Sequence, residues 1–250
     1  MLSKNKIKFI QSLQRKKHRV AEGLFLLEGD KMAKEALEQA AVEHIYALND
    51  WVEAHKVAIR SKEIPFTSIT ARELKSISGL TTPNRVVLVM KQFVPKLDED
   101  SLSKGYALYL DQIQDPGNMG TILRNADWFG IQQVFCSEGC VDIYNSKVIQ
   151  ASMGAIFRVR IMNVSLTDLL QKKPELPVYG TVLGGNNIYE IEPAQNGLIV
   201  IGNEGRGISP DIQDLLTHKV TIPKGKNGGA ESLNAAVASG IVCAVFSRKG

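Results

Sequence analysis

The stretch Leu198-Ile199-Val200-Ile201-Gly202-Asn203-Glu204-Gly205-Arg206-Gly207-Ile208-Ser209-Pro210 decides how the rest of the chain is read. Its first four residues are an unbroken apolar run of strand length, and three glycines follow within six residues. An apolar run without alternation suits a strand buried on both faces, as in a parallel sheet covered by helices. Glycines directly after such a strand let a ligand approach the main chain, while Ser209 and Pro210 suit the N-cap and first turn of a following helix. The spacing is neither the G-x-G-x-x-G of dinucleotide sites nor the G-K-[ST] ending of a P-loop, so hydride and phosphoryl transfer both lose support.

Further apolar runs lie on either side: Tyr106 to Leu110, Gln133 to Cys136, Arg158 to Met162, Val178 to Leu183 and Lys219 to Ile222. They alternate with helical patterns, which predicts an α/β fold with a mostly parallel sheet. In such sheets ligands collect at the loops leaving the C-terminal strand ends. One of these loops is Asp111-Gln-Ile-Gln-Asp115-Pro116-Gly117-Asn118-Met119-Gly120, followed by a helix carrying Arg124, Asn125 and Ala126. A guanidinium there can grip a phosphate through two parallel hydrogen bonds; a turn followed by a surface arginine reads equally simply. The other loop runs from Ile222 and Pro223 through Gly225, Gly228 and Gly229 to Ser232, Leu233 and Asn234, opening a helix expected from Glu231 to about Phe246. Ser232 and Asn234 could serve as helix caps, or the exposed backbone around them could read an adenine edge. The small residues of that helix, Ala235, Ala236, Ala238, Ser239, Gly240 and Ala244, permit close approach by the sheet or by a second subunit.

The first ninety residues alternate short helices and strands. Ile7, Ile10 and Leu13 form one amphipathic face, Leu24 to Leu27 and His44 to Leu48 read as strands, and Met32, Ala36 and Leu37 have helical spacing. Thr70 and Glu73 have the spacing of a capping box, and Arg85 to Lys91 reads as a strand. The polar segment 95–105 is read as a linker between a domain over 1–94 and a second over 106–250.

With 44% hydrophobic and 22% charged residues among 250, the chain has an ordinary globular composition. The net charge of +4 has one source. Residues 1–20 contain Lys4, Lys6, Lys8, Arg15, Lys16, Lys17 and Arg19 and no acid, whereas the remainder holds more acids than bases. Such a cluster suits a polyanion, because each neutralised phosphate releases condensed counterions. A solvated helix face, a membrane-surface patch and a transit peptide are the competing readings. Lys4, Lys8, Arg15, Lys16, Lys17 and Arg19 are the candidate RNA contacts. No apolar window is long enough for a membrane span, and no signal-peptide pattern opens the chain. Three sparsely placed cysteines, Cys136, Cys140 and Cys243, lack zinc-site spacing, so a reducing, cytoplasmic setting and no metal are expected.

Taken in order, these loops resemble the three motifs of the SpoU (TrmH) family of RNA ribose methyltransferases. Asn118, Gly120, Arg124 and Ala126 match the first, Gly202-Asn203-Glu204-Gly205 with Gly207-Ile208 the second, and Ile222-Pro223 with Ser232-Leu233-Asn234 the third. Asn125 stands where a small hydroxyl residue is usual, and the segment from Lys224 to Glu231 is longer than is common. The resemblance implies a C-terminal α/β trefoil-knot domain with a parallel sheet, preceded by a small α/β, ribosomal-protein-like substrate-binding domain. It implies a homodimer that transfers a methyl group from S-adenosyl-L-methionine to a ribose 2′-hydroxyl. The donor would be held around Gly202, Ile222 and Leu233, with Leu183 and Gly184 nearby. Arg124 would be catalytic, assisted by Asn118, Glu204, Ser232 and Asn234. Structured RNA is the expected substrate, with large-subunit rRNA ahead of tRNA. A tRNA 2′-O-methyltransferase, a catalytically silent RNA-binding assembly factor and an enzyme using another nucleotide cofactor on a doubly wound sheet are the alternatives.

Overall fold

The computed structural model describes residues 1–39 and 41–248, so residues 249 and 250 of the expected second domain lie outside the described residues. The chain forms two compact units, Met1–Val94 with Asp142–Phe157, and Pro95–Val141 with Arg158–Gly250.

The first unit is built on strands β1 (Leu24–Glu28), β2 (Val42–Ala47), β3 (Phe66–Ser68) and β4 (Val86–Lys91), in the order β1-β4-β2-β3. β4 pairs antiparallel with both β1 and β2, while β3 runs parallel to β2. Five consecutive residues of β4, Val86 to Met90, are buried, which explains the unbroken apolar run in that stretch. Ile10 and Leu13 pack with Leu26, Tyr46, Val87 and Val89 in one core, closed by Leu74 and Ile77. Leu74 and Ile77 belong to helix Ala71–Ile77, which opens on the expected capping box: the Thr70 side chain accepts from the Glu73 backbone, and the Glu73 carboxylate accepts from the Thr70 N–H.

The segment Asp142–Phe157 also packs in this unit, although it lies within the expected second domain in sequence. Tyr144 stacks against Phe25 with ring centroids 4.7 Å apart, its hydroxyl accepts from the Phe93 N–H, and Gln150 donates to the Glu28 carbonyl. Asp142 pairs with Arg19 at 2.5 Å. Neighbourhood along the chain is a poor guide to packing wherever a segment leaves one core and returns.

The second unit holds β5 (Tyr106–Leu110), β6 (Gln133–Cys136), β7 (Arg160–Asn163), β8 (Val178–Asn187), β9 (Gly197–Ile201) and β10 (His218–Thr221). The order is β10-β8-β9-β5-β6-β7 and every pairing is parallel. The chain builds outward from β5 through β6 to β7, then crosses back and places β9 on the other side of β5. The topological switch point therefore lies between β5 and β9, where the loops leaving the two strands diverge. Because β5, β9, β8 and β10 are adjacent and parallel, their C-terminal ends share one edge of the sheet.

Tyr109, Phe135, Leu166, Leu198 and Val200 centre the core of this unit. Leu102 joins them at 1% exposure from helix Glu99–Lys104, so part of the segment 95–105, expected as a linker, is folded structure. Gln133 ties its start by donating to the Asp98 carbonyl and accepting from the Asp98 N–H. A one-turn helix that buries a single leucine is otherwise polar, and its composition resembles a linker. The last helix is Ala235–Ser247, four residues shorter at its start than expected, because Asn234 is its N-cap.

Candidate active site

The loop after β5 begins with a buried carboxylate. Asp111 is 2% exposed and accepts from the Ser209 N–H at 2.7 Å and from the Ser137 hydroxyl at 3.3 Å. Asp115 then caps helix Pro116–Trp128 by accepting from the Asn118 N–H, with Pro116 at the first helical position. Asn118 thus sits in the first turn of a helix, above the switch point.

The loop after β9 closes on itself. Asn203 and Gly207 exchange both backbone hydrogen bonds at 2.9 Å, while the Asn203 side-chain oxygen accepts from the N–H groups of Gly205 and Arg206. Gly202 makes this hairpin possible, since a Cβ there would lie 2.4 Å from the backbone of Gly207 and Ile208. Gly202 therefore serves backbone packing, a role the sequence does not display. Glu204 stands at the tip of the hairpin.

Three polar side chains from three loops meet here. The Asn118 Nδ2 donates to Glu204 Oε1 at 2.8 Å, and the Asn234 Nδ2 donates to Asn118 Oδ1 at 2.9 Å. Asn234 Oδ1 in turn accepts from the N–H groups of Ala236 and Val237 at the start of the last helix. The polarity of this chain follows from its ends. An ionised carboxylate only accepts, so it turns the Asn118 amide NH2 toward itself. That leaves the Asn118 oxygen for Asn234, whose own oxygen faces a helix N-terminus. Glu204, Asn118 and Asn234 are thereby fixed in one orientation by hydrogen bonds; among the described residues, no group of three or more His, Cys, Asp or Glu is placed to hold a metal ion.

Asn125 strengthens the same arrangement from below. Its amide donates to the Ala236 carbonyl and the Ser239 hydroxyl, at 2.9 and 2.8 Å, with Gly240 close against it. Helices Pro116–Trp128 and Ala235–Ser247 are pinned together through this residue, which occupies the position where a smaller hydroxyl was usual.

The structure does not draw the other expected catalytic residues into this hydrogen-bonded chain. Arg124 is exposed on helix Pro116–Trp128 and makes no hydrogen bond or ion pair among the described residues. Ser232 is likewise exposed, two residues before the N-cap of the last helix. In the first unit Lys4, Lys8, Arg15, Lys16 and Lys17 are exposed, as a polyanion-binding face requires. Arg19 is not. At 4% exposure its guanidinium donates to the carbonyls of Leu13 and Gln14 and pairs with Asp142, so it holds the basic segment together from inside and cannot reach RNA.

The expected donor-binding residues lie at the ends of the adjacent strands. Gly202 follows β9, Ile222 follows β10, and Leu183 and Gly184 lie in the outer part of β8. Gly185 lets β10 come close to β8, because a Cβ there would lie 2.7 Å from the backbone of Lys219 and Val220. A ligand bearing both a nucleoside and a sulfonium needs apolar contact, accessible backbone groups and no fixed cation in its bed. Leu183 is 81% exposed, Leu233 is exposed and Ile222 is half-buried, all leaving apolar surface to cover. Gly184 adopts φ +78°, and no atom lies within 4 Å of where its Cβ would be; the same room exists at Gly225 and Gly229. These residues fit S-adenosylmethionine.

Comparisons with known proteins agree with this geometry. Residues 105–244 match the SpoU rRNA Methylase family, and residues 4–88 match the MRM3-like substrate binding domain. A 23S rRNA guanosine 2′-O-methyltransferase of Bacillus subtilis is 28% identical over 95% of this chain and 94% of its own length. A TrmH-family protein from Porphyromonas gingivalis superposes with a TM-score of 0.87 at 36% identity, covering all of both chains. The AdoMet-bound rRNA methyltransferase of Sinorhizobium meliloti has the same fold, with a TM-score of 0.87 at 24% identity over 99% of this chain and 96% of its own. The family match spans more than half of the sequence and contains all three loops that meet at the switch point, so the chain belongs to the SpoU rRNA Methylase family.

Proposed function

We propose that this protein methylates a ribose 2′-hydroxyl in structured RNA, large-subunit rRNA ahead of tRNA, with S-adenosylmethionine as donor. The observation that carries this reading is the Glu204–Asn118–Asn234 chain at the switch point, which joins all three family motifs through two side-chain hydrogen bonds. Family membership and the 2′-O activity named for the Bacillus subtilis relative support the reaction class.

Bound S-adenosylmethionine supplies an electrophilic methyl carbon on a sulfonium. The protein's task is to hold the ribose oxygen in line with it and to manage the hydroxyl proton, since positioning alone lowers a barrier by several kcal/mol. Asn118 and Asn234, already oriented by Glu204 and a helix N-terminus, present fixed polar groups at the sugar. Arg124 has no hydrogen-bond or ion-pair partner among the described residues to leave, so its fork is available to the RNA phosphate beside the reacting ribose. The guanidinium fork stabilises negative charge building on O2′ while the proton passes to phosphate or water.

The exposed lysines of helix Lys4–Ser12 and its successor would hold the RNA backbone. We extend the reading to a homodimer, supported by Trp128 at 82% exposure and Val237, both on the pair of helices joined by Asn125. A trefoil knot is supported by the return of the last helix from edge strand β10 to pack on helix Pro116–Trp128. We place the protein in the cytoplasm, where its free thiols and its RNA substrate coexist. Incubating the purified protein and labelled donor with ribosomal RNA and with tRNA, followed by mapping of 2′-O-methyl marks, tests the reading. A mark on one rRNA nucleotide is expected; donor binding without transfer to either RNA would overturn it.

A further inference from the structure

We propose that Asn203 is a positioning residue for methyl transfer, one whose side chain latches the hairpin bearing Glu204 to a left-handed turn at Gln112 and so sets Glu204 against Asn118. The proposal rests on the methyltransferase reading above and names a residue that this reading does not use.

Gln112 follows the buried Asp111 and adopts φ +53°, a left-handed conformation that a residue with a Cβ holds only when its surroundings impose it. The surroundings do so from both sides. Its N–H donates to the Ser137 hydroxyl at 2.9 Å, and its carbonyl accepts from Asn203 Nδ2 at 2.8 Å. The left-handed turn therefore directs a backbone acceptor from the first motif loop onto the second.

Asn203 uses both ends of its amide. The oxygen collects the Gly205 and Arg206 N–H groups within the hairpin, and the nitrogen reaches across to Gln112. Beyond the other end of the hairpin, the Ser209 N–H is held by Asp111, the residue next to Gln112. The hairpin is thus tied on both flanks to the same two residues of the β5 loop, and Glu204 lies between the ties. Helix Pro116–Trp128, which carries Asn118, grows from that loop. Glu204 and Asn118 are held 2.8 Å apart because their supports are joined at Asn203 and Ser209.

The chemistry of the amide identifies the variant that separates the latch from the hairpin. Asn203→Asp keeps an acceptor for Gly205 and Arg206 but replaces the donor with an anion facing the Gln112 carbonyl, so the hairpin keeps its cap while the tie becomes a repulsion. Asn203→Ala removes cap and tie together.

The test measures methyl transfer, donor affinity and melting temperature for the full-length wild type, Asn203→Asp and Asn203→Ala, with crystal structures of the variants. For Asn203→Asp we expect a fall in kcat of tenfold or more, KM for RNA within about threefold of wild type, and a Glu204–Asn118 separation beyond hydrogen-bonding range. Fast exchange of the Gly205 and Arg206 amides is expected for Asn203→Ala only. Wild-type kcat in Asn203→Asp, or an unchanged Glu204–Asn118 contact in its structure, would overturn the latch. Should Asn203→Asp fail to fold, Asn203→Ala decides by the same contact. If the wild type itself transfers no methyl group, the functional reading fails, and the crystallographic contact still decides the latch.

Discussion

Helix Lys16–Glu22 in the first unit and helix Pro116–Trp128 in the second each carry an arginine that the sequence marks for RNA, and the two are used in opposite ways. Arg19 is buried, donates to two carbonyls and pairs with Asp142. Arg124 is exposed and has no partner among the described residues. A buried guanidinium whose three nitrogens all donate internally is a structural bolt; one whose nitrogens have no partner among the described residues, on a surface above a ligand edge, is available to an external anion. Charge alone separates neither case, since both residues read as positive positions on a helix.

The sharpest way to break this contrast is at Arg124. Arg124→Ala should reduce transfer by well over tenfold and leave donor affinity and melting temperature close to wild type, because no hydrogen bond or ion pair among the described residues is lost. A variant that keeps more than about a tenth of the rate would remove Arg124 from the mechanism.

Arg19→Ala should do the reverse. It strands a half-buried Asp142 carboxylate and two carbonyls, so unfolding should become easier by about 3 kcal/mol, with transfer per folded molecule preserved. Chemical denaturation of the two proteins side by side would check it, and unchanged stability would show that the pair contributes nothing.

Exposed lysines of the same segment should affect neither folding nor chemistry. Lys16→Ala and Lys17→Ala should each weaken RNA binding and lower the slope of log affinity against log salt by roughly 0.7 to 0.9 if each neutralises one phosphate. Binding titrations across a salt series give that slope directly, and a slope equal to wild type would assign these lysines to solvent.

The smallest expected effect concerns Glu73, which holds the start of helix Ala71–Ile77. Hydrogen bonds from the Thr70 backbone first, then from the Leu2 backbone and the Thr70 side chain, lower its carboxyl pKa to about 2. A pKa depressed in the folded state means that the stabilisation is present in full above the ordinary carboxylate range and fades as pH falls through about 2. Glu73→Gln should therefore lower the melting temperature slightly at pH 7 and not at the acid end. A difference that persists unchanged at pH 2 would show that the amide fails for a reason other than charge.

The parallel sheet was readable because strands buried on both faces have no polar alternation, as in Leu198 to Ile201. The loops of the candidate site were readable through residue type and position after such strands, though only the family resemblance singled out Asn118, Glu204, Ser232 and Asn234. Residues whose roles depend on another loop were not readable. Gly202 is a glycine because a hairpin folds back onto it, Asn203 matters through a carbonyl 91 residues earlier, and Asn125 reaches a helix more than a hundred residues later.

Local patterning on its own determined the strands other than the short β3, the capped helix at Thr70, the glycine-bearing loops and the basic N-terminal stretch. These depend on backbone preference and burial period, which act over a few residues. Only the tertiary structure decided which arginine is buried, that the segment Asp142–Phe157 packs with the first unit, and how Glu204, Asn118 and Asn234 come to share hydrogen bonds. Those outcomes depend on contacts between residues far apart in the chain, and a linear sequence does not display the distances that set them.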